Sequence, residues 1–166
     1  MPAATQISVE EYLKTVYRPD RDYVDGVVEE RNLGEWDHSS VQRNLITFFH
    51  SRFRQTGITA VPEWRFQVSP TRFRIPDVTV ILGKSDEQIL HKPALLCIEI
   101  LSPEDTVSRT NIRVQDYLTF GVPVVWVVDP REKQVWIYRK SGIEQATGAV
   151  KLDGTDIEVP FTEIFD

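Results

Sequence analysis

Two acids carry the strongest chemical signal in this chain. Asp77 opens the apolar run of RIPDVTVIL (74–82), and Glu99 is the single charge inside ALLCIEIL (94–101), 22 residues further on. A lone ionised carboxylate in a buried strand costs several kcal/mol unless something pairs with it. Two such groups on adjacent strands raise each other's pKa unless they share a partner. A divalent cation is one solution. Mg²⁺ takes hard carboxylate oxygens, usually one or two, and completes its octahedron with waters and a substrate phosphate. A glycosidase acid/base pair also needs two carboxylates, but this strand is deeply apolar and has no aromatic platform beside it.

Other side chains could assist. His38 precedes a helical pattern, where its imidazole can face a site as proton carrier or phosphate donor, or bond locally at the helix start. Glu30 ends a short β-prone run and is either a third carboxylate or an exposed strand-end charge. Glu63 is a partner for Arg65 or Arg74. Between residues 43 and 74 six arginines (Arg43, Arg52, Arg54, Arg65, Arg72 and Arg74) face one acid, Glu63, a local net of +5. That segment is either a phosphate-binding groove or a solvated face with internal ion pairs. Residues 141–166 carry six acids against Lys151, a local net of −5.

The elements that must position these groups follow from periodicity. Ser8 followed by Glu11 has the capping-box pattern, which predicts a short helix over about residues 8–16. In DYVDGVVEE (22–30) two β-prone runs flank Asp25-Gly26, a tight-hairpin pair. EWDHSSVQRNLITFFHSRFRQTG (35–57) spaces Leu45, Ile46, Phe49 and Phe53 helically, with Asp37 or Ser39 as N-cap and Gly57 as stop. ITAVPEWRFQV (58–68) and RIPDVTVIL read as strands joined at Ser69-Pro70, and residues 83–93 as a loop with room for a short helix. ALLCIEIL has the near-continuous apolarity of a strand buried on both faces. SRTNIRVQDYLTFG (108–121) reads as a helix capped by Ser108, closed by Gly121, with Ile112, Tyr117 and Leu118 inward. VPVVWVVDPREKQVWIYRK (122–140) gives two strands around a turn, and the tail is irregular apart from a strand near residues 157–159. Tyr23, Trp36, Trp64, Trp126 and Trp136 read as core or interface packing. The order implies an α/β fold, a mixed β-sheet flanked by helices.

A chain of 166 residues with 41% hydrophobic and 27% charged residues suits a single domain. The net charge of −6 excludes a generic nucleic-acid-coating protein. The opening MPAATQISVEEYLK lacks the basic start and apolar run of a signal peptide, and no apolar run approaches the roughly 20 residues of a membrane span. With Cys97 as the single cysteine, a cytoplasmic protein is expected.

These pieces together resemble a known family. YVDG (23–26), His38-Ser39 before a helix, RIPDVTV (74–80), IEILSPE (98–104) and DYLTFGVPVVWVVDP (116–130) resemble, in order, the Uma-type restriction endonuclease family of the PD-(D/E)xK nuclease-like superfamily. The resemblance covers about residues 8–140. It implies a restriction-endonuclease-like fold and Mg²⁺- or Mn²⁺-dependent hydrolysis of DNA, with Asp77, Glu99 and the Ile100 carbonyl holding the metal. His38 would join the catalytic group, with Glu30 and Arg74 as auxiliary residues. The superfamily pattern places a lysine two residues after the glutamate, where this chain has Leu101. The Uma-type family takes its lysine from the next helix, four residues before the tyrosine, and that position here is Arg113. Arginine stays protonated, so it can orient water or stabilise developing charge but cannot act as a base. The alternative is a non-catalytic nuclease-fold module that binds DNA or a protein partner. A homodimer is expected of a fold that cuts two strands in pairs, with the VVWVV–VWIY hairpin as its apolar surface.

Overall fold

The structure, a computed structural model, describes residues 5–32 and 34–166; the first four residues and Leu33 lie outside it. In chain order the elements are α1 (Val9–Lys14), β1 (Asp22–Val24), β2 (Val27–Glu29), α2 (Trp36–Ser51), α3 (Phe53–Thr56) and β3 (Ile58–Pro62). There follow β4 (Phe66–Ser69), β5 (Arg72–Arg74), β6 (Val78–Leu82), β7 (Leu96–Ile100) and α4 (Val107–Phe120). The chain ends with β8 (Val125–Asp129), β9 (Gln134–Arg139), β10 (Gly142–Gln145), β11 (Ala149–Lys151), β12 (Glu158–Pro160) and α5 (Phe161–Phe165).

The main sheet has six strands in the order β10-β9-β8-β7-β6-β3, antiparallel except for the β7–β8 pair. That parallel pair needs a crossover, and α4 supplies it. Every residue of β7 is buried, as its apolar run requires. Side chains alternate across a strand. Leu96, Ile98 and Ile100 therefore join the core under α2, with Leu45, Phe49 and Trp126. Cys97 joins the core under α4, with Val114, Tyr117 and Val125. By the same alternation Glu99 points toward α4.

A four-stranded sheet, β2-β1-β5-β4, packs Tyr23 and Phe73 against Tyr12 of α1 and meets α4 through Phe66 stacked on Tyr117. Arg74 binds this layer to α4. Its side chain is 1% exposed and donates to Asp22 Oδ2 at 3.0 Å, Glu29 Oε2 at 2.9 Å and Asp116 Oδ2 at 2.8 Å.

Several expectations hold at residue level. Ser8 caps α1, its hydroxyl accepting from the Glu11 N–H. Asp25 and Gly26 both take positive φ, the conformation a tight two-residue hairpin demands.

Others need correcting. The two β-prone runs do not stay in one sheet: 58–68 breaks after Pro62, where Glu63 adopts φ 49°, and 74–82 breaks at Ile75-Pro76-Asp77. Pro76 has no N–H for a ladder, so the chain leaves the small sheet there and enters the main one. Neither Asp37 nor Ser39 caps α2; both lie inside it, and Glu35 holds the cap position without a side-chain bond. Thr106, not Ser108, caps α4 by accepting from the Arg109 N–H; Ile112 faces solvent and Thr110 faces inward. The 83–93 loop contains no helix, and the tail is more regular than expected, with a β11–β12 pair and α5 packed on α2. The VVWVV segment is no outer surface: β8 is an interior strand, buried throughout. Among the described residues no helix is long and apolar enough to cross a membrane.

Removing one partner of a buried ion network leaves the others uncompensated. Arg74→Met should therefore lower unfolding stability by about 3–5 kcal/mol in urea titrations. A loss below about 1 kcal/mol, the size of an exposed pair, would show that Asp22 and Asp116 find other partners.

Candidate active site

Asp77 precedes β6 by one residue. The β6–β7 register pairs Val78 with Ile98, and one step further sets Asp77 across from Glu99. The two acids, 5% and 3% exposed, thus meet at the end of the main sheet. The Ile100 N–H donates to Asp77 Oδ2 at 2.7 Å, which fixes the carboxylate against the neighbouring strand.

Each acid has its own set of donors. Asp77 Oδ1 receives Arg31 at 3.0 Å and lies 3.3 Å from His38 Nε2, while its backbone carbonyl accepts from Gln42 at 2.9 Å. Glu99 accepts the Tyr117 hydroxyl at 2.6 Å and Arg113 at 3.2 Å. Arg113 also lies 3.7 Å from Asp105 and 3.9 Å from Asp22. Tyr117 and Arg113 are four residues apart on α4 and so share one helix face.

The surroundings push the two acids apart. Burial alone would raise the Asp77 carboxyl, but the His38 contact, the Arg31 charge and the Ile100 N–H together hold it below the ordinary carboxylate range. Burial raises the Glu99 carboxyl, and the nearby Asp77 charge adds to this, against the pull of Arg113 and Tyr117. For His38, burial works against the imidazolium, yet the Asp77 contact wins and raises its pKa.

Beside these groups lies a small cavity of about 20 Å³. Asp77, Ile100, Ser102, Asp105, His38 and Arg113 line it, with Arg31 and Asn32 at its side. Buried polar atoms around it lack hydrogen-bond partners: Asp105 Oδ1, His38 Nδ1 and Asn32 Nδ2.

Five of the residues singled out from sequence converge here: His38, Asp77, Glu99, Ile100 and Arg113. Ile100 does so with a difference, since its N–H, not its carbonyl, contacts Asp77. Glu30 does not join them; its side chain is 78% exposed and pairs with Arg21 at 3.1 Å. Arg74 sits behind the site, sharing Asp22 with Arg113. Glu63 pairs with Arg31, not with Arg65 or Arg74. Nor do the six arginines of 43–74 form one groove: Arg72 and Arg74 are spent on Asp25, Asp116, Asp22 and Glu29, and Arg52 lies over the Phe48 ring. Sequence reasoning missed Arg31, Asp22 and Asp105, and read Tyr117 as core packing alone. Asp105 had a local signal, since SPED folds into a turn in which its Oδ2 accepts from the Ser102 N–H.

A divalent cation can be tested against this donor set. Among the described residues no group of three or more His, Cys, Asp and Glu side chains is disposed to hold a metal by itself. Mg²⁺, however, needs only one or two carboxylates with waters and a phosphate. Asp77, which lines the cavity, and the neighbouring Glu99 supply two carboxylates, and Asp105 Oδ1 is a further buried oxygen on the cavity wall without a hydrogen-bond donor. The residues therefore fit a hard cation that shares Asp77 with Arg31 and Glu99 with Arg113.

Tyr117→Phe removes one donor to a buried carboxylate without changing shape. It should cost about 1.5–3 kcal/mol of stability, measured by urea unfolding. An unchanged midpoint would show that Glu99 does not depend on the hydroxyl.

Comparison with known proteins supports the same frame. A crystal structure of a "putative nuclease belonging to DUF820" from Anabaena variabilis superposes with a TM-score of 0.82 at 22% identity, covering 96% of this chain and 97% of that one. At that identity the likeness speaks for the fold. No curated protein matches the sequence. The Uma2 family, described as "Putative restriction endonuclease", matches residues 9–161. With nearly its whole length inside that match, the chain belongs to the Uma2 family.

Proposed function

We propose that this protein is a Mg²⁺- or Mn²⁺-dependent endonuclease that hydrolyses phosphodiester bonds of DNA. The observation that carries this reading is the placing of two buried acids, Asp77 just before β6 and Glu99 in β7, one register step beyond the Val78–Ile98 pair, with Asp77 fixed by the Ile100 N–H. Asp77 and Glu99 hold the cation, and the Ile100 carbonyl is its third donor. When bound, the ion polarises the scissile phosphate and lowers the pKa of a coordinated water.

The chain's own residues do the rest. Asp77, held below the ordinary carboxylate range by its cationic neighbours, supplies negative charge to the site. Arg113 is held against Glu99 by burial and charge; it stays protonated and stabilises the charge that grows on the phosphate. His38 keeps Nδ1 free of protein partners while Nε2 faces Asp77, so the ring has one nitrogen free to give or take a proton at the cavity it lines. A homodimer and a cytoplasmic setting belong to the same reading.

A second reading rests on one observation: Arg31 and Arg113 already sit on the two carboxylates. A site neutralised in this way suits a non-catalytic module that binds DNA or a protein. It predicts salt-sensitive DNA binding unaffected by EDTA or Asp77→Asn.

Plasmid and oligonucleotide cleavage decides between them. The nuclease reading expects Mg²⁺- or Mn²⁺-dependent cutting that EDTA abolishes and Asp77→Asn removes. Equal background nicking by wild type and Asp77→Asn would overturn it. Arg113→Met should reduce the rate by about 100-fold, the usual cost of a lost charge-stabilising donor. An unchanged rate would take Arg113 out of the reaction.

A further inference from the structure

A second cavity adjoins the candidate active site. It has a volume of about 210 Å³ and lies between the first half of α4 and the face of β8–β9 that carries Val127, Trp136 and Tyr138. Leu101 and Val127 form its apolar floor, Trp136 and Tyr138 its aromatic wall, and Thr110 and Asn111 its helical side. Asp105 lines both this cavity and the smaller one beside Asp77, so the two share a wall.

Three features mark the cavity as more than a packing fault. Thr110 is 5% exposed, yet its hydroxyl finds no hydrogen-bond partner, and the Asp105 Oδ1 atom on the shared wall has only the Arg113 charge 3.7 Å away and no hydrogen-bond donor. A buried polar atom left in that state is unfavourable, and such groups in native proteins call for an explanation. The rings of Trp136 and Tyr138 are only partly covered by the core they border. The volume is below the roughly 300–1,000 Å³ of sites for drug-sized ligands, which suits a single small ring system.

We propose that this cavity receives one unpaired nucleobase of the nucleic acid whose backbone enters the neighbouring site. The inference rests on the nuclease reading and adds a substrate class to it. A base offers a flat π face to Trp136 and Tyr138, and stacking of this kind tolerates any sequence. Its edge offers hydrogen-bonding groups to Thr110. A base inside a duplex cannot reach such a recess, so the substrate is single-stranded or has a nucleotide turned out of the helix. The shared Asp105 wall puts the base one cavity away from Asp77, as expected for a nucleotide next to the bond being cut.

Equilibrium binding of the full chain in EDTA tests this, using a fluorescent single strand, the same strand with abasic residues throughout, and its duplex. The base-bearing strand should bind about tenfold more tightly than the other two, in line with one stacked base. Thr110→Val, close to isosteric, and Trp136→Leu should each shrink that difference and leave affinity for the abasic strand unchanged. Equal affinity for all three probes would overturn the inference, as would a preference that survives both substitutions. Metal-dependent cleavage by the same preparation keeps the two questions apart. Cleavage without base preference sinks the pocket alone, whereas no binding and no cleavage sinks the nuclease reading with it.

Discussion

Burying two carboxylates at the end of one sheet is the constraint from which the rest of this structure follows. Asp77 and Glu99 lie one register step beyond the Val78–Ile98 pair, in an interior that would reject either alone. Each is met by a guanidinium and by a second donor: Arg31 and His38 for one, Arg113 and Tyr117 for the other. These donors come from the loop after β2 and from the helices α2 and α4. The elements around the sheet are therefore placed by charge as well as by apolar packing. The outcome is an asymmetric pair, one acid held below the ordinary carboxylate range by its cationic neighbours and the other raised above it by burial and by the first acid's charge.

Much of this was legible in the residues. Glu99 in an apolar octet, Asp77 before another apolar strand, and a helix ending in Gly121 are local patterns with physical causes. The fold class followed from them, and so did the neighbourhood of Asp77 and Glu99; His38 and Arg113 were placed by the family resemblance. What was not legible depends on partners distant in sequence. Arg31 reaches Asp77 across 46 positions, and nothing in its neighbours announces that contact. Asp22 looked like an ordinary strand residue, yet it is buried between Arg74 and Arg113. The splitting of two β-prone runs between sheets also escaped pattern reading. A propensity run shows that a segment is extended but not which sheet it joins, and the decision fell to Glu63 and Pro76.

The errors at helix starts have a similar origin. Asp37, Ser39 and Ser108 are good capping residues by type, but each is displaced from the true cap by two or more positions. For α4 the inward face is set by packing: at about 100° per residue, Ile112 cannot share a face with Tyr117. Thr110, Val114, Tyr117 and Leu118 turn inward and Ile112 turns out. One face of α4 then serves Glu99 through Arg113 and Tyr117, and Asp116 clasps Arg74 of the smaller sheet.

The fork of Arg113 has a consequence for how this site can change by substitution. Its guanidinium stands among Glu99, Asp105 and Asp22, and Asp22 is held in turn by Arg74. A lysine at this position would bring a single compact charge to a place built for a planar fork. It could satisfy Glu99 only by leaving the other acids short of a counter-ion. An exchange of arginine for lysine here is thus tied to residues on β1 and in the turn after β7. A library that varies Arg113 alone would sample the neighbourhood in which compensation is least available.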